Sequence, residues 1–135
     1  MIVLDTNVIS ALIQATPEPS VVSWLDAQSS DSVWTTAITV FEIQFGLSAM
    51  PAGQRRKSLK ESFERALDQM GNRVLGFETT AANQAATIAA QSRSSGRPVD
   101  MRDVMIAGTV AAHHATLATR NIKHFADTGI FLINP

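Results

Sequence analysis

Three carboxylates interrupt apolar patterns at widely separated points of the sequence. Asp5 ends the short apolar run at residues 2–4, which predicts a buried strand. Glu42 and Asp103 fall on apolar stripes of helical spacing, so both side chains are expected to point inward. Carboxylates that converge in a protein interior repel one another and, when ionised, need a metal. A set of oxygen ligands without Cys or His favours a hard cation, either Mg²⁺ or its substitute Mn²⁺.

Such a site has a characteristic chemistry. Mg²⁺ is usually held by one or two carboxylates together with water and substrate phosphates. The ion can activate water and stabilise both oxygens of an in-line phosphoryl displacement. Asn121 follows a predicted strand as Asp5 does, and we expect it to complete the pocket.

Each of these residues also has a simpler interpretation when it is taken alone. Asp5 could cap the helix that follows it, and Glu42 could reach solvent or a basic partner from the edge of its helix. Asp100 and Asp103 have the spacing of a capping box, with Asp100 as the N-cap. For Asp103 the capping role and the site role are equally open. Asn121 could be an ordinary cap or turn residue.

Short predicted strands alternate with predicted helices along the whole chain. This alternation predicts parallel βα units, with helices on both faces of a small sheet of four to five strands. A helix over residues 37–49, with Ile38, Phe41 and Phe45 on its buried stripe, would carry Glu42. A helix over residues 100–114 would carry Asp103. Ligands of open α/β sheets bind at the carboxyl ends of strands, which is where Asp5 and Asn121 are expected.

Composition narrows the class of protein. The chain has 135 residues, 45% of them apolar and 17% charged, which indicates a single globular domain over residues 1–135. There is no cysteine, and no stretch of about 18 apolar residues that predicts a membrane span. The N-terminus lacks the basic region of a signal peptide, so we expect a cytoplasmic protein. With a net charge of −1, phosphate recognition would depend on local basic patches or on bound metal.

Four segments carry a resemblance to a known family. They are residues 1–9 (MIVLDTNVI), 39–46 (TVFEIQFG), 96–108 (GRPVDMRDVMIAG) and 117–125 (LATRNIKHF). In order and spacing they resemble the PIN-domain ribonucleases, specifically VapC-type toxins of bacterial toxin–antitoxin pairs with FitB-like features. The resemblance spans nearly the whole chain and implies a PIN-like three-layer α/β/α fold.

The resemblance also implies roles for individual residues. Asp5, Asp103 and Glu42 match the family's metal-binding acidic positions, and Asn121 matches the fourth position of the site. Supporting hydrogen bonds are implied for a second group of residues, namely Thr6, Asn7 and Thr119. The sequence departs from the family pattern at His124, where relatives are often acidic, and at Asp100, where relatives often have glycine. Asp100 therefore adds a carboxylate near the metal, and the ligands of a second metal ion stay open.

The implied function is a Mg²⁺-dependent endoribonuclease that acts as the toxin of a type II pair. Its implied partners are an RNA substrate, a VapB-like antitoxin and a second copy of the chain. Arg97, Arg102 and Arg120 lie near the predicted pocket mouth and are candidates to hold the RNA backbone. With Asp5 assigned to the metal, capping of the first helix falls to Thr6 and Asn7.

Two competing functions remain. The first is a non-catalytic PIN-like module that binds RNA or a partner through the same pocket. The second, a phosphotransfer domain of the receiver or haloacid-dehalogenase type, is weaker. Such domains need an acidic pair or an Asp-x-Asp at the first strand and a lysine at a late strand, whereas here the first strand offers only Asp5-Thr6-Asn7 and Thr119-Arg120 contains no lysine.

Overall fold

A computed structural model describes residues 1–135 and contains one five-stranded sheet in the order β3-β2-β1-β4-β5. All four neighbouring pairs of strands are parallel. The strands are β1 (Ile2–Leu4), β2 (Val33–Thr36), β3 (Val74–Leu75), β4 (Thr116–Ala118) and β5 (Phe131–Ile133). The predicted small parallel sheet of an α/β protein is therefore confirmed.

Seven helices cover the two faces of this sheet. They are α1 (Thr6–Ile13), α2 (Pro19–Asp26), α3 (Ala37–Ala49), α4 (Gln54–Gln69), α5 (Thr79–Ser94), α6 (Met101–Ala112) and α7 (Ile122–Phe125). Successive strand residues point to opposite faces, so Val3 and Leu117 join one core with α5 and α6. Leu4 and Ala118 join a second core with α1 to α4. None of the helices is long and apolar enough to cross a membrane.

The strand order reverses at β1. The chain passes from β1 outward to β2 and β3, and then returns to place β4 on the other side of β1. The crevice at the carboxyl ends of β1 and β4 is therefore the switch point at which open α/β sheets bind ligands. Asp5 follows β1 directly and Thr119 follows β4, so both residues lie at this crevice.

Helices α5 and α6 pack unusually closely at Gly108. A Cβ atom at this position would lie 2.6 Å from both the carbonyl oxygen of Ala81 and the Cβ of Ala85. Only glycine allows this approach, because the nearest atoms belong to backbone and to a short side chain. The contact fixes α6, which carries Asp103 at its first turn.

The predicted buried stripe of α3 is wrong. Phe41 and Phe45 are 57% and 61% exposed, and the buried residues are instead Thr39, Ile43 and Leu47. Apolar residues occur on nearly every side of this helix, so their spacing does not define one inward face. The expected inward direction of Glu42 therefore needs another explanation, which its hydrogen bonds supply.

The prediction that Thr6 and Asn7 cap the first helix is also wrong. Helix α1 begins at Thr6, and Asp5 is its N-cap, with Oδ1 accepting a hydrogen bond from the Thr6 N–H. A carboxylate is well suited to this position because it accepts from the free N–H groups of the first turn. Asp5 thus combines the cap role with a place at the switch point.

Candidate functional site

Asp5 lies at the centre of the candidate site and is 4% exposed. Its Oδ1 accepts from the Thr6 N–H at 2.8 Å. Its Oδ2 accepts from the Thr119 hydroxyl at 2.7 Å and from the Asn7 amide at 3.0 Å. A carboxylate offers about four lone-pair positions, so one position on Oδ1 stays free for a further ligand.

Burial raises the pKa of Asp5 above its ordinary value of 3.8. The hydrogen bonds from Thr119, Thr6 and Asn7 act in the opposite direction, because they stabilise the ionised form. A cation at the free position of Oδ1 would also lower the pKa of Asp5, because it would stabilise the ionised carboxylate.

The residues expected to support Asp5 form a connected network. The Asn7 amide nitrogen lies 3.2 Å from the Thr119 hydroxyl, and the Asn7 oxygen accepts from the Arg120 N–H at 2.9 Å. The Thr119 hydroxyl also accepts from the Asn121 N–H at 3.0 Å. The end of β4 is thereby held against the first turn of α1, which fixes the direction of the Asp5 carboxylate.

Glu42 reaches the same crevice from α3, with its side chain 19% exposed. Its Oε1 accepts from the Thr6 hydroxyl at 3.0 Å, and that hydroxyl also contacts Thr39 at 3.2 Å. Its Oε2 lies 3.7 Å from the Arg102 guanidinium. Burial raises the pKa of Glu42, while Thr6 and Arg102 oppose the rise. The hydrogen bond from Thr6, which lies just beyond the carboxyl end of β1, thus directs the Glu42 side chain inward.

Asp103 enters the site from the first turn of α6, with its side chain 25% exposed. Burial, first, and then the charges of Asp100, Asp5 and Glu42 together raise its pKa from 3.8 to about 6. His124 lies 3.2 Å from Oδ2 of Asp103 and opposes this rise. The mutual influence of these carboxyls shows that they share one electrostatic environment, although they come from distant parts of the chain.

The N-cap role predicted for Asp100 is confirmed, because its Oδ1 accepts from the backbone N–H groups of Arg102 and Asp103. The Arg102 side chain bridges Glu42 at 3.7 Å and Asp100 at 3.8 Å. Arg102, predicted to face RNA, thus points into the carboxylate cluster.

The other predicted positions lie around the rim. Arg97 pairs with Asp127 at 3.4 Å. Arg120 and Asn121 are exposed directly after β4, and Asn121 is the N-cap of α7 without a side-chain capping bond.

His124 is a site contact that the sequence did not reveal. In the sequence His124 stands out only as the loss of an acidic residue, yet its Nδ1 is the atom that faces Asp103. His124 follows Asn121 by three residues, so the two side chains are about one helical turn apart on the same side of the helix. Because Asn121 was predicted to line the pocket, this spacing is the signal that could have found His124.

The candidate metal ligands are of the chemical type that a hard cation prefers. Asp5, Glu42 and Asp103 offer only oxygen atoms, and Asp5 has a free lone-pair position. No group of three or more His, Asp or Glu side chains is close enough to form a ready-made cation site. Mg²⁺ needs only one or two protein carboxylates beside water and substrate, so a looser arrangement is compatible with it.

The family model that describes the PIN domain matches residues 2–130. The chain belongs to the PIN-domain family. The PIN-domain resemblance inferred from the four sequence segments is thereby confirmed.

Two relatives align along the whole of this PIN domain. VapC ribonuclease Y4jK of Sinorhizobium fredii is 43% identical over 136 residues, which cover 100% of this chain and 97% of that protein. Toxin FitB of Neisseria gonorrhoeae is 34% identical and covers 100% of this chain and 98% of its own length. The VapC-type and FitB-like character of the sequence is therefore also confirmed.

The fold agrees with a solved structure. FitAcB from Neisseria gonorrhoeae superposes with a TM-score of 0.89 at 34% identity, and covers 100% of this chain and 98% of that chain. The PIN-like α/β/α architecture predicted from the sequence is confirmed.

Proposed function

We propose that this chain, as a single PIN domain over residues 1–135, is a Mg²⁺-dependent endoribonuclease and the toxin of a type II toxin–antitoxin pair. The observation that carries the proposal is the convergence of Asp5, Glu42 and Asp103 at the switch point, each with a raised pKa. Perturbed carboxyls in a crevice are typical of functional sites. The names of the two relatives, a VapC ribonuclease and a toxin, support the same function.

The residues would divide the work by position. Asp5 and Asp103 would hold the ion, because Asp5 keeps a free position on Oδ1 and Asp103 lies across the crevice. Glu42 would bind a second ion or orient the attacking water with the oxygen that Thr6 does not occupy. Bound Mg²⁺ would supply an activated water and stabilise charge on the phosphate oxygens. Asn121, together with Arg97, Arg102 and Arg120, would line the path of the RNA.

Substitution at Asp5 tests this proposal. Asp5→Asn should lower the rate of Mg²⁺-dependent RNA cleavage by at least about 10²-fold, because the amide replaces one ligand charge. Asn keeps the N-cap bond from the Thr6 N–H, but its NH2 group cannot accept from Thr119 and Asn7. Thermal unfolding is therefore measured first, and cleavage is compared at a temperature at which both proteins are folded. Cleavage of a labelled RNA pool by purified protein is the measurement.

The matched control is Asp68→Asn, which removes an exposed carboxylate near the C-terminal end of α4. It should cleave like the wild type. Expression without an antitoxin should arrest growth for the wild type and Asp68→Asn but not for Asp5→Asn. Full cleavage by Asp5→Asn would rule out Asp5 as an essential ligand.

The proposed partners follow from the toxin assignment. A VapB-like antitoxin would neutralise the chain in the cytoplasm, where its RNA substrate would lie. We also propose a homodimer, and the exposed pair Phe41 and Phe45 supports an apolar contact surface on α3. Their rings are stacked, with centroids 6.0 Å apart. Large exposed apolar side chains of this kind are typical of protein contact sites.

A non-catalytic PIN-like module is the second candidate. It is favoured by the contacts of Arg102 with Glu42 and of His124 with Asp103, since both place a basic side chain of the chain itself beside a carboxylate. In that case, the pocket would accept a basic side chain of a partner. Binding of Mn²⁺ by the metal-free chain separates the two candidates.

A further inference from the structure

A cavity of about 440 Å³ opens beside Asp103, and Asp5 is not among the residues that line it. Its walls are the segment that joins α5 to α6 and the segment formed by α7 and the residues after it. Ile88, Val99 and Val104 form an apolar lining, and the rim is polar. Asp103 and His124 belong both to this cavity and to the carboxylate site, so an occupant would lie directly beside the reacting phosphate.

The two walls of the cavity are held by defined contacts. Gly96 ends α5 with a φ of +70°, a conformation that favours glycine, and the chain then turns back toward the cavity. The Arg97 N–H donates to the carbonyl oxygen of Ser92 at 3.0 Å. The Arg97 guanidinium lies 3.4 Å from Asp127 on the opposite wall, and the Thr128 hydroxyl donates to the Phe125 carbonyl at 2.6 Å. These polar groups at the boundary of the cavity therefore already have partners within the protein.

Charge argues against a free anion as the occupant. Three carboxylates line the cavity, those of Asp100, Asp103 and Asp127, and they outnumber the two permanent cations of its lining, Arg97 and Lys123. The positive charge of Arg97 is already paired with Asp127. A neutral, planar group with N–H donors suits this lining better, because carboxylates accept hydrogen bonds and an apolar lining accepts a ring face.

A nucleobase has these properties. Single-stranded RNA is recognised by unstacked bases that stack on His rings or Arg guanidinium planes and are hydrogen-bonded along their edges. His124 and Arg97 supply such planar groups at the rim, and Asp127 supplies the acceptor. Arg97 contacts only Oδ2 of Asp127, so a lone-pair position on each oxygen stays available to a base. Guanine presents two adjacent donors, N1–H and N2–H, which match the two oxygens of one carboxylate. Uracil presents a single donor between two acceptors.

We propose that this cavity is a nucleobase subsite that receives the base next to the scissile phosphate and prefers guanine through Asp127. This inference rests on the proposed ribonuclease function, because the occupant is part of the RNA substrate. The subsite would give the enzyme a base preference that the carboxylate site alone, which contacts phosphate, does not provide.

Sequencing of the RNA ends left by a random-sequence pool tests the subsite. The wild type should enrich guanine about tenfold over uracil at one position adjacent to the cut, as expected for a bidentate contact. Asp127→Asn should reduce that enrichment to near zero, because the amide presents an acceptor and a donor in place of two acceptors. Asp68→Asn should keep it. Cleavage without guanine preference, or a preference unchanged in Asp127→Asn, overturns the subsite.

A binding measurement separates failure of the subsite from failure of the proposed function. The full chain is titrated in EDTA with GMP, AMP, CMP and UMP, while the backbone amides of Arg97, His124 and Asp127 are followed by NMR. The subsite predicts the tightest response for GMP, with the difference from UMP lost in Asp127→Asn. This result supports the subsite even if no RNA is cleaved. Equal responses to all four nucleotides, or responses confined to other amides, contradict it.

Discussion

Asp5 serves two purposes with one side chain. Its Oδ1 caps α1 through the Thr6 N–H, and its Oδ2 is held by Thr119 and Asn7. The sequence predicted a site role for Asp5 because a carboxylate ends an apolar strand there. The cap was the alternative interpretation of Asp5 and was given to Thr6 and Asn7, since the site role was assumed to exclude it. A carboxylate has enough lone pairs for both purposes.

Asp103 gives the metal-free protein a pH-dependent stability. Its pKa is raised from 3.8 to about 6 by burial first and by Asp100 next, against the opposing effect of His124. Because the folded-state pKa lies above the unfolded value, folding favours the protonated carboxyl. This stabilisation is complete below a pH of 3.8 and is lost as the pH rises through about 6.

Without metal, the free energy of unfolding should therefore fall by on the order of 1 kcal/mol as the pH rises through this window, after discounting for solvent screening. Asp103→Asn should make the fall shallower, although Asp5 and Glu42 shift in the same direction and will leave part of it. Urea unfolding at a series of pH values measures both slopes. An identical slope in Asp103→Asn would show that Asp103 titrates normally.

At the scale of elements, the site depends on how closely α6 approaches α5. Gly108→Ala should destabilise the fold by about 1–3 kcal/mol, because the new methyl group meets backbone and a short side chain that cannot move aside. Gly46→Ala is the matched control, since a Cβ atom at Gly46 in α3 meets nothing within 4 Å. That change should stabilise by about 0.5–1 kcal/mol. Thermal unfolding compares the two, and similar effects from both would contradict the close contact.

The elements themselves were largely predictable, and their orientations were less so. Buried strands are short apolar runs, and residues such as Asp100 mark helix starts, so the order of elements follows from local patterns. The inward face of α3 did not follow, because Phe41 and Phe45 satisfy the same spacing as Ile43 and Leu47. Local spacing cannot decide between two apolar faces when tertiary packing selects one of them.

The contacts between distant side chains were not predictable either. The pairs of Arg102 with Glu42 and of His124 with Asp103 join segments far apart in the sequence. Their geometry depends on helix packing and on rotamers, which periodicity does not specify. The four candidate positions themselves were predicted because each breaks an apolar pattern or follows a strand.

At the scale of the whole molecule, topology and charge act together. The net charge of −1 gives no general attraction for nucleic acid, so the proposed recognition of RNA would depend on the switch point between β1 and β4. The ionised carboxylates there repel one another and would repel RNA phosphates. A divalent cation would reverse both effects, which makes metal binding the central requirement of the proposed function.

Calorimetric titration of the metal-free chain with Mn²⁺ tests that requirement most directly. The wild type and Asp68→Asn should bind with a Kd below about 1 mM, and Asp5→Asn should bind at least about tenfold more weakly, since one ligand charge is lost. No binding at millimolar Mn²⁺, or equal binding by Asp5→Asn, would contradict a metal-dependent nuclease centred on Asp5.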